Sequence, residues 1–480
     1  MKQENKNFLI NIGYQALLMA FPLITVPYTS RVLGAESIGT YSYTYSIVNL
    51  FMLAGMLGIS NHGNRSVARV RDDREKLSAT FSSIYTIQLI LCGLCLIGYV
   101  AYALLFSGPY AQIALLQLPF LLSVCFDISW LFFGMEQFLF PLTRNLAIKV
   151  ASLVLMVLMV KSPEDLWIYT AIMSGSTLVS NAFLAVIAPR YVSYRKPVAS
   201  DLRPHLKPIV VLFVPVLAFS IYHVMDKTML GAFGSMLELG FFENAEKITN
   251  LPSAVITALG TVMLPRMSFI MKDASADYRT PIMSSMKLAM TLGACMSAGL
   301  LLIADDAAVV LFGSGFERCG ILIRVLGIAV IATAWSNVLR TQYLIPKGLD
   351  GVYVRSTFGA GVINLGINLA LIPTLGALGT CIGTVVAEYF IALYQTIATS
   401  KQLDVKVYCR DLASALAKAC AIALICYFAC RNISGAAVRL IGEMALFIFL
   451  AALFFFRYIK DDFFGASKGG GSNVSEYSTA

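Results

Sequence analysis

Charge is what this chain has least of. Of its 480 residues only 13% are Asp, Glu, Lys or Arg, about half the share of a soluble protein, roughly 25%. Histidine is scarcer still, with His62, His205 and His223 alone. The ten cysteines have no His or carboxylate cluster beside them, so Cys92-x-x-Cys95 and Cys426/Cys430 read as small apolar residues, not a metal or redox pair. No Walker A motif, zinc-protease motif or nucleophile elbow occurs, which removes ATPases and hydrolases, and the chain is read as a non-enzyme. Alternating segments of about ten residues are missing too, which argues against a β-barrel. "MKQENKNF" runs into an apolar segment with no small-residue cleavage site, so no cleavable signal is expected.

What is present is apolar. Hydrophobic residues make up 58% of the chain, in runs long enough to cross a hydrocarbon core of about 30 Å at about 1.5 Å per residue. The reading is an all-α polytopic membrane protein with fourteen spans. They fall near 8–30, 37–60, 78–105, 111–134, 138–160, 166–189, 207–232, 236–264, 283–304, 320–345, 354–373, 376–399, 410–430 and 436–457. With both ends placed in the cytoplasm, 28 of the 36 basic residues fall on the inner side. That bias is the expected positive-inside pattern. The net charge of +9 therefore reports topology and lipid headgroups, and no nucleic-acid partner is expected. The tail "GASKGGGSNVSEYSTA" is read as disordered.

The two halves resemble each other. "LGAESIGTYSYTYSI" from Leu33 aligns with "LGAFGSMLELGFFENAEKI" from Leu230, given a four-residue insertion. Gly39 then falls on Gly240, Arg65 on Arg266 and Asp72 on Asp273, and "GMEQF" at Gly134 roughly faces "GLDGV" at Gly348. Six spans per copy give both copies one orientation, as in parallel-repeat transporters. The expected division is an N-lobe over 1–195, a cytoplasmic linker over 196–206 and a C-lobe over 207–402. Spans 13 and 14 follow at 403–460 as an appendage, and the tail occupies 461–480.

Polar residues inside spans are costly and face protein or a wet cavity. Span 8 carries Glu243, Glu246, Lys247 and Asn250 as one helical stripe. It reads as cavity lining, or as an acid pairing with Lys247 to fasten helices. The equivalent positions in span 2 are Ser42, Tyr45, Ser46 and Asn49. Span 1 offers Asn11, Gln15, Thr25 and Thr29 along one side, and Asp226-Lys227 end span 7, in a cavity or solvated at an outer mouth. Asn364 and Asn368 are read as cavity lining or interhelical bonding, Gly379-x-x-x-Gly383 as a close helix contact, and Glu388 as cavity-facing or snorkelling. The physical reading is a two-lobed bundle with a mixed-charge interior, suited to alternating access for a polar or amphipathic substrate.

At "LITVPYTSRVLGAESIGTYSY", "DISWLFFGMEQF", "DKTMLGAFG" and "YLIPKGLDGVYVRSTFGAGVINLGINLALIPTLGALGT" the chain resembles the Wzx-type oligosaccharide repeat-unit flippases. These belong to the polysaccharide transport branch of the multidrug/oligosaccharidyl-lipid/polysaccharide exporter superfamily, and the likeness spans about residues 5–460. The resemblance implies a V-shaped pair of six-helix lobes. It also implies an undecaprenyl-diphosphate-linked oligosaccharide moved from the cytoplasmic to the outer leaflet of the bacterial inner membrane for O-antigen, capsule or exopolysaccharide assembly. The energy source it implies is a proton or sodium gradient, with no bound cofactor. Membrane lipids, a polysaccharide polymerase and chain-length machinery are the implied partners, and a monomer suffices for a complete pathway. For the diphosphate the candidates are Arg31, Lys227, Lys247, Arg324 and Arg340. Sugars would meet Ser42, Tyr41, Tyr43, Tyr45, Asn49, Asn250, Asn364 and Asn368. Ion coupling or gating would fall to Asp127, Asp226, Glu243, Glu246 or Glu388.

Two rivals share the superfamily. A multidrug exporter would favour acids without bases, whereas a lipid II flippase has similar chemical demands. A scaffold or a polymerase is a more distant alternative, and a polymerase would be expected to carry a larger outer loop. Asp127 sits about seven residues, roughly 10 Å, from the cytoplasmic end of span 4. Trp130 and Gly134 are expected on its side of the helix, with Trp130 in an interfacial aromatic belt. The repeat places Asp127 opposite Thr341, next to Arg340. It reads either as half of a cytoplasmic gate with Arg340 or as an acid bonded to a neighbouring hydroxyl or amide.

Overall fold

The computed structural model describes the backbone of residues 3–137, 139–273 and 277–459, and side chains there except at 3–20, 139, 214–223 and 456–459. The expectations for Asn11, Gln15 and the tail at 461–480 lie outside the described residues. All fourteen expected spans coincide with helix. Spans 1 and 2 form one run, Gln3–Met56, broken only at Gly34 (φ 75°, ψ 170°). The sequence suggests a loop of several residues there. One glycine suffices, because without a Cβ it adopts a positive φ at little cost. Span 2 continues as Ile59–Val70, and spans 3, 5 and 6 are Arg74–Leu105, Leu139–Met159 and Leu166–Ile187. Spans 7 to 10 are Ala199–Phe233, Met236–Ile270, Arg279–Ala307 and Arg318–Leu339, with one further π-helical turn after each of the last two. Spans 11 to 14 are Asp350–Leu375, Ala377–Thr399, Val405–Cys430 and Ala436–Ile459. Twelve helical stretches of the described residues are long and apolar enough to cross a membrane, the first of them, 21–70, holding the end of span 1 and all of span 2.

Span 4 differs most from its sequence reading. It is three short helices, Ala111–Leu116, Leu118–Cys125 and Ser129–Gly134. Pro119 lacks the N–H that would continue the first of them and sits instead in the opening turn of the second, after Gln117, and the second break falls at Phe126–Ile128. Inside lipid each carbonyl freed by a break needs a donor. Neighbouring spans supply them. Tyr99 donates to the carbonyl of Ala114 at 2.8 Å and Ser174 to that of Leu116 at 2.7 Å. Asn181 donates to that of Ser123 at 3.1 Å, and Gln88 to those of Val124 at 2.6 Å and Asp127 at 3.0 Å. Gln88 also accepts from the Trp130 indole at 3.1 Å. Trp130 is 1% exposed and lies against Gly63, so it is core, not interfacial belt. A Gln88→Leu variant takes the side-chain donor from the Asp127 carbonyl, leaves the Val124 carbonyl with the Asp127 amide at 3.3 Å, and leaves the Trp130 indole N–H without its acceptor. At about 1–3 kcal/mol per buried group without a partner, it is expected to lower the thermal unfolding midpoint well below wild type in detergent.

By packing, the chain forms two compact units, 1–243 and 244–480, whereas the sequence repeat divides it at 196–206. The difference arises because span 7 packs on the Gln3–Met56 run, where Tyr43 and Ser46 of span 2 meet it, and on span 3. The start of span 8 lies against span 2, where a Cβ on Gly39 would meet the Met236 carbonyl oxygen at 1.8 Å. The core of the first unit gathers Ile59, Val67, Phe81, Ile84, Trp130 and Leu131. In the second unit spans 13 and 14 are integral. Ala294 and Ala298 of span 9 cluster with Ala415, Ala419 and Ile422 of span 13 and Phe447 of span 14. Small side chains let helices approach closely where lipid gives no hydrophobic drive to associate.

Candidate functional site

Three glycines of the first unit set the site's dimensions. A Cβ on Gly39 of span 2 would sit 1.8 Å from the Met236 carbonyl oxygen, and a Cβ on Gly240 of span 8 would sit 1.8 Å from that of Ala35. The contact is reciprocal, each glycine meeting the carbonyl four residues before the other, and the two are equivalent positions in the sequence repeat. One turn from this crossing, Gly231 of span 7 receives the Tyr43 ring, where a Cβ would lie 2.2 Å from Cδ2. Spans 2, 7 and 8 thus come together with little side-chain bulk between them.

The polar stripe of span 2 faces this junction. Lys227 Nζ lies 2.8 Å from Glu243 Oε2, and the two side chains are 22% and 13% exposed. Ser42 Oγ donates to the same oxygen at 2.6 Å. One turn along, Ser46 and Thr228 hydroxyls share a hydrogen bond of 2.9 Å. Asp226, beside Lys227, is 1% exposed. The tyrosines form a wall: Tyr41 stacks on Tyr45 with centroids 5.8 Å apart, Tyr169 stands edge-on to Tyr41 at 4.9 Å, and Phe120 edge-on to Tyr45 at 5.1 Å. Gln117 fixes the backbone of Tyr41 by donating to its carbonyl at 3.2 Å.

The chemistry follows from the pairing. Two half-buried charges lose much hydration, and their attraction compensates only with good geometry and added hydrogen bonds. Here the carboxylate has a second donor in Ser42. An incoming anion can therefore take the Lys227 ammonium while Glu243 keeps a hydroxyl. Adjacent aromatic faces suit the apolar faces of sugar rings.

The other expected site residues are distributed differently. Arg31 is exposed near the end of span 1, and Asn49 is half-buried further along the Ser42 stripe. Glu243 is paired with Lys227, where the sequence suggested Lys247 as a fastening partner. Glu246 and Lys247 are half-buried and Asn250 is exposed in span 8, within the second unit. Also in that unit, Arg324 pairs with Asp305, and Arg340 lies over the Tyr353 ring, 5.6 Å from its centroid. Asn364 and Asn368 are fully buried, Asn368 donating to Asn364 at 3.1 Å, and both press on Gly383. They fasten spans 11 and 12 and do not face a cavity. Gly379 takes the Leu371 backbone, the close contact its motif suggested. Glu388 accepts from Thr333 of span 10 at 3.1 Å and is buried.

Asp127 does not share a continuous helical face with Trp130 and Gly134, because the helix is interrupted there. Its carboxylate accepts from the Ser129 hydroxyl at 2.6 Å and the Ser129 amide at 3.1 Å, closing the turn that restarts the helix. Sequence reasoning missed Thr228, Tyr169, Gln117 and Gln88. Gln88 alone carried a signal, as a lone amide in an apolar span. It also missed the contact between His62 and His205, whose ring nitrogens lie 2.8 Å apart.

The profile of a family described as polysaccharide biosynthesis protein matches residues 5–271. The putative O-antigen transporter of Shigella dysenteriae is 23% identical over 403 residues, covering 81% of this chain and 98% of that protein. Among solved structures, the lipid II flippase MurJ in an inward closed conformation superposes with a TM-score of 0.74 at 12% identity, covering 94% of this chain and 100% of the other. An inward-facing multidrug resistance transporter of the MATE family reaches a TM-score of 0.60 at 14% identity, covering 84% and 99%. The structural likeness carries the fold. Because the family profile spans more than half of the sequence, the chain belongs to the polysaccharide biosynthesis protein family.

Proposed function

We propose that this protein is a flippase that moves an undecaprenyl-diphosphate-linked oligosaccharide from the cytoplasmic to the outer leaflet of the bacterial inner membrane. The observation that carries the reading is the Lys227–Glu243–Ser42 cluster beside the Tyr41/Tyr45 wall. An ammonium inside the membrane suits a diphosphate, and hydroxyls with aromatic faces suit sugars. The name of the Shigella relative, a putative O-antigen transporter, agrees with this. A multidrug exporter for cations is the second reading, and Lys227 beside the acid disfavours it.

Coupling fits the same cluster. When a diphosphate takes Lys227, Glu243 loses that cation and becomes the natural acceptor for a proton or sodium ion. Discharge of the ion returns Glu243 to Lys227 and weakens the hold on substrate. No bond of the substrate is made or broken, so the protein acts as a transporter. A monomer with both termini in the cytoplasm, working beside a polymerase and chain-length machinery, completes the proposal.

The test is complementation of a strain lacking its own oligosaccharide flippase and supplied with matching glycosyltransferases. Wild-type protein is expected to restore surface polysaccharide. Raised tolerance to cationic drugs with no polysaccharide would favour the second reading.

A further inference from the structure

A second polar cavity lies apart from the cluster just described, at the ends of spans 2, 3, 4 and 6 that the basic-residue pattern places in the cytoplasm. It has a volume of about 520 Å³, and Arg71, Arg74 and Arg190 converge on it over an apolar floor of Leu77 and Met135. Asp73 fixes the turn bearing the first two arginines by accepting from the amides of Glu75 and Lys76 at 3.0 and 3.1 Å. These backbone bonds, with the Lys76 ammonium, hold its carboxyl below the usual range. Arg190 ends the short turn after span 6, and Tyr191 beside it packs edge-on to Phe132 at 5.6 Å.

A buried acceptor and a set of arginines mark this cavity as able to receive a ligand. Glu136 has a φ of 59° as the left-handed residue that ends the last helix of span 4, its N–H donating to the Phe133 carbonyl at 3.0 Å and that of Gln137 to the Phe132 carbonyl at 2.8 Å, and its carboxylate pairs with Arg71 at 2.5 Å. Next to it, the side-chain oxygen of Gln137 is buried and has no hydrogen-bond donor among the described residues. Arg74 and Arg190 have no carboxylate partner among the described residues, and Asp72 is the only other acid of the lining. The cavity therefore offers two guanidinium groups without a carboxylate, a third paired with Glu136, and one buried acceptor open to a hydroxyl.

We propose that this cavity binds a lipid phosphate ester whose headgroup carries hydroxyls. The phosphate oxygens bridge Arg74 and Arg190 and compete with Glu136 for Arg71, while a headgroup hydroxyl donates to Gln137. Guanidinium–phosphate bonds are charge-assisted and often bidentate, and basic pockets between helices on the cytoplasmic side are where acidic headgroups lie. Two lipids have this chemistry: a phosphatidylglycerol of the leaflet and a sugar-bearing polyprenyl diphosphate. The first does not require the flippase reading, so the proposal can stand or fall separately from it.

Native mass spectrometry of the full chain in detergent, titrated with each lipid and with phosphatidylcholine, tests it. Phosphatidylglycerol or the polyprenyl diphosphate sugar, or both, are expected to bind more tightly than phosphatidylcholine. The double variant Arg74→Gln/Arg190→Gln is expected to weaken that binding at least about tenfold, and Gln137→Ala to weaken it several-fold. A charge-matched control, Arg203→Gln/Lys207→Gln, is expected to bind as wild type, and all variants to melt within a few degrees of it. Phosphatidylglycerol alone binding would identify the leaflet as the source, and displacement of it by the polyprenyl diphosphate sugar would identify the transported lipid. Equal binding by the Arg74/Arg190 variant and wild type, or equal loss in the control, would overturn the site.

Discussion

Gly240→Ala and Gly39→Ala are each expected to yield little monodisperse protein in detergent and to abolish transport. In both cases the new Cβ meets a backbone carbonyl oxygen at 1.8 Å, that of Ala35 or of Met236. Ordinary contact requires well over 1 Å more. A backbone carbonyl has no rotamer to yield, so the helices themselves must part. Inserting one methyl into a tight interface costs about 1–3 kcal/mol when side chains can shift, and here the upper end or beyond is expected. The Lys227–Glu243 and Ser42–Glu243 contacts, which depend on the same crossing, would lengthen together. Gly175→Ala is the control, because no atom lies within 4 Å of its Cβ position. It is expected to match wild type, since alanine favours helix by about 1 kcal/mol over glycine. Size-exclusion profiles and thermal midpoints of the three variants decide it, and wild-type stability in Gly240→Ala would contradict the crossing.

Lys227→Ala is expected to lower stability, by less than the about 3–5 kcal/mol that removing one partner of a fully buried ion pair costs, because the two side chains keep 22% and 13% exposure. Export of polysaccharide is expected to fall at least about a hundredfold, measured per folded protein. The two losses separate in the double variant Lys227→Ala/Glu243→Gln. It is expected to recover most of the stability, because no carboxylate is then held beside a missing cation, and to recover none of the transport. Lys227→Arg retains the charge and should keep part of the activity. Glu243→Gln alone is expected to fold, to bind substrate, and to lose dependence on the ion gradient. Wild-type export by Lys227→Ala at normal protein level would remove Lys227 from substrate binding.

The spans were readable because a bilayer leaves few choices. A long apolar run must be helix, and the Lys and Arg bias fixes the count. The breaks in span 4 were not readable in the same way. Pro119 marks one of them, but the stretch from Phe126 to Ile128 has no proline or glycine, and Gln88 of span 3, far away in sequence, bonds the Asp127 carbonyl and that of Val124 just before the break. Asp127 therefore looked like a charge on a helix face, when it restarts a helix through Ser129. The repeat alignment gave Gly39 and Gly240 as equivalents, and the structure adds that they touch. Lys227 and Glu243 were each visible as intramembrane charges, but their pairing was not. A stripe on one helix shows its own spacing and nothing of the helix opposite, so Lys247 looked the nearer partner. The same limit explains Asn364 and Asn368, whose spacing suits a wet face and a tight helix contact equally well.

Purified protein in proteoliposomes, loaded with a fluorescent undecaprenyl-diphosphate oligosaccharide in one leaflet, tests the central claim most directly. Wild type is expected to move the label to the opposite leaflet, faster under a proton or sodium gradient, while Lys227→Ala leaves it in place. A wild-type protein that leaves the lipid-linked oligosaccharide unmoved under both gradients, yet transports a cationic drug, would contradict it.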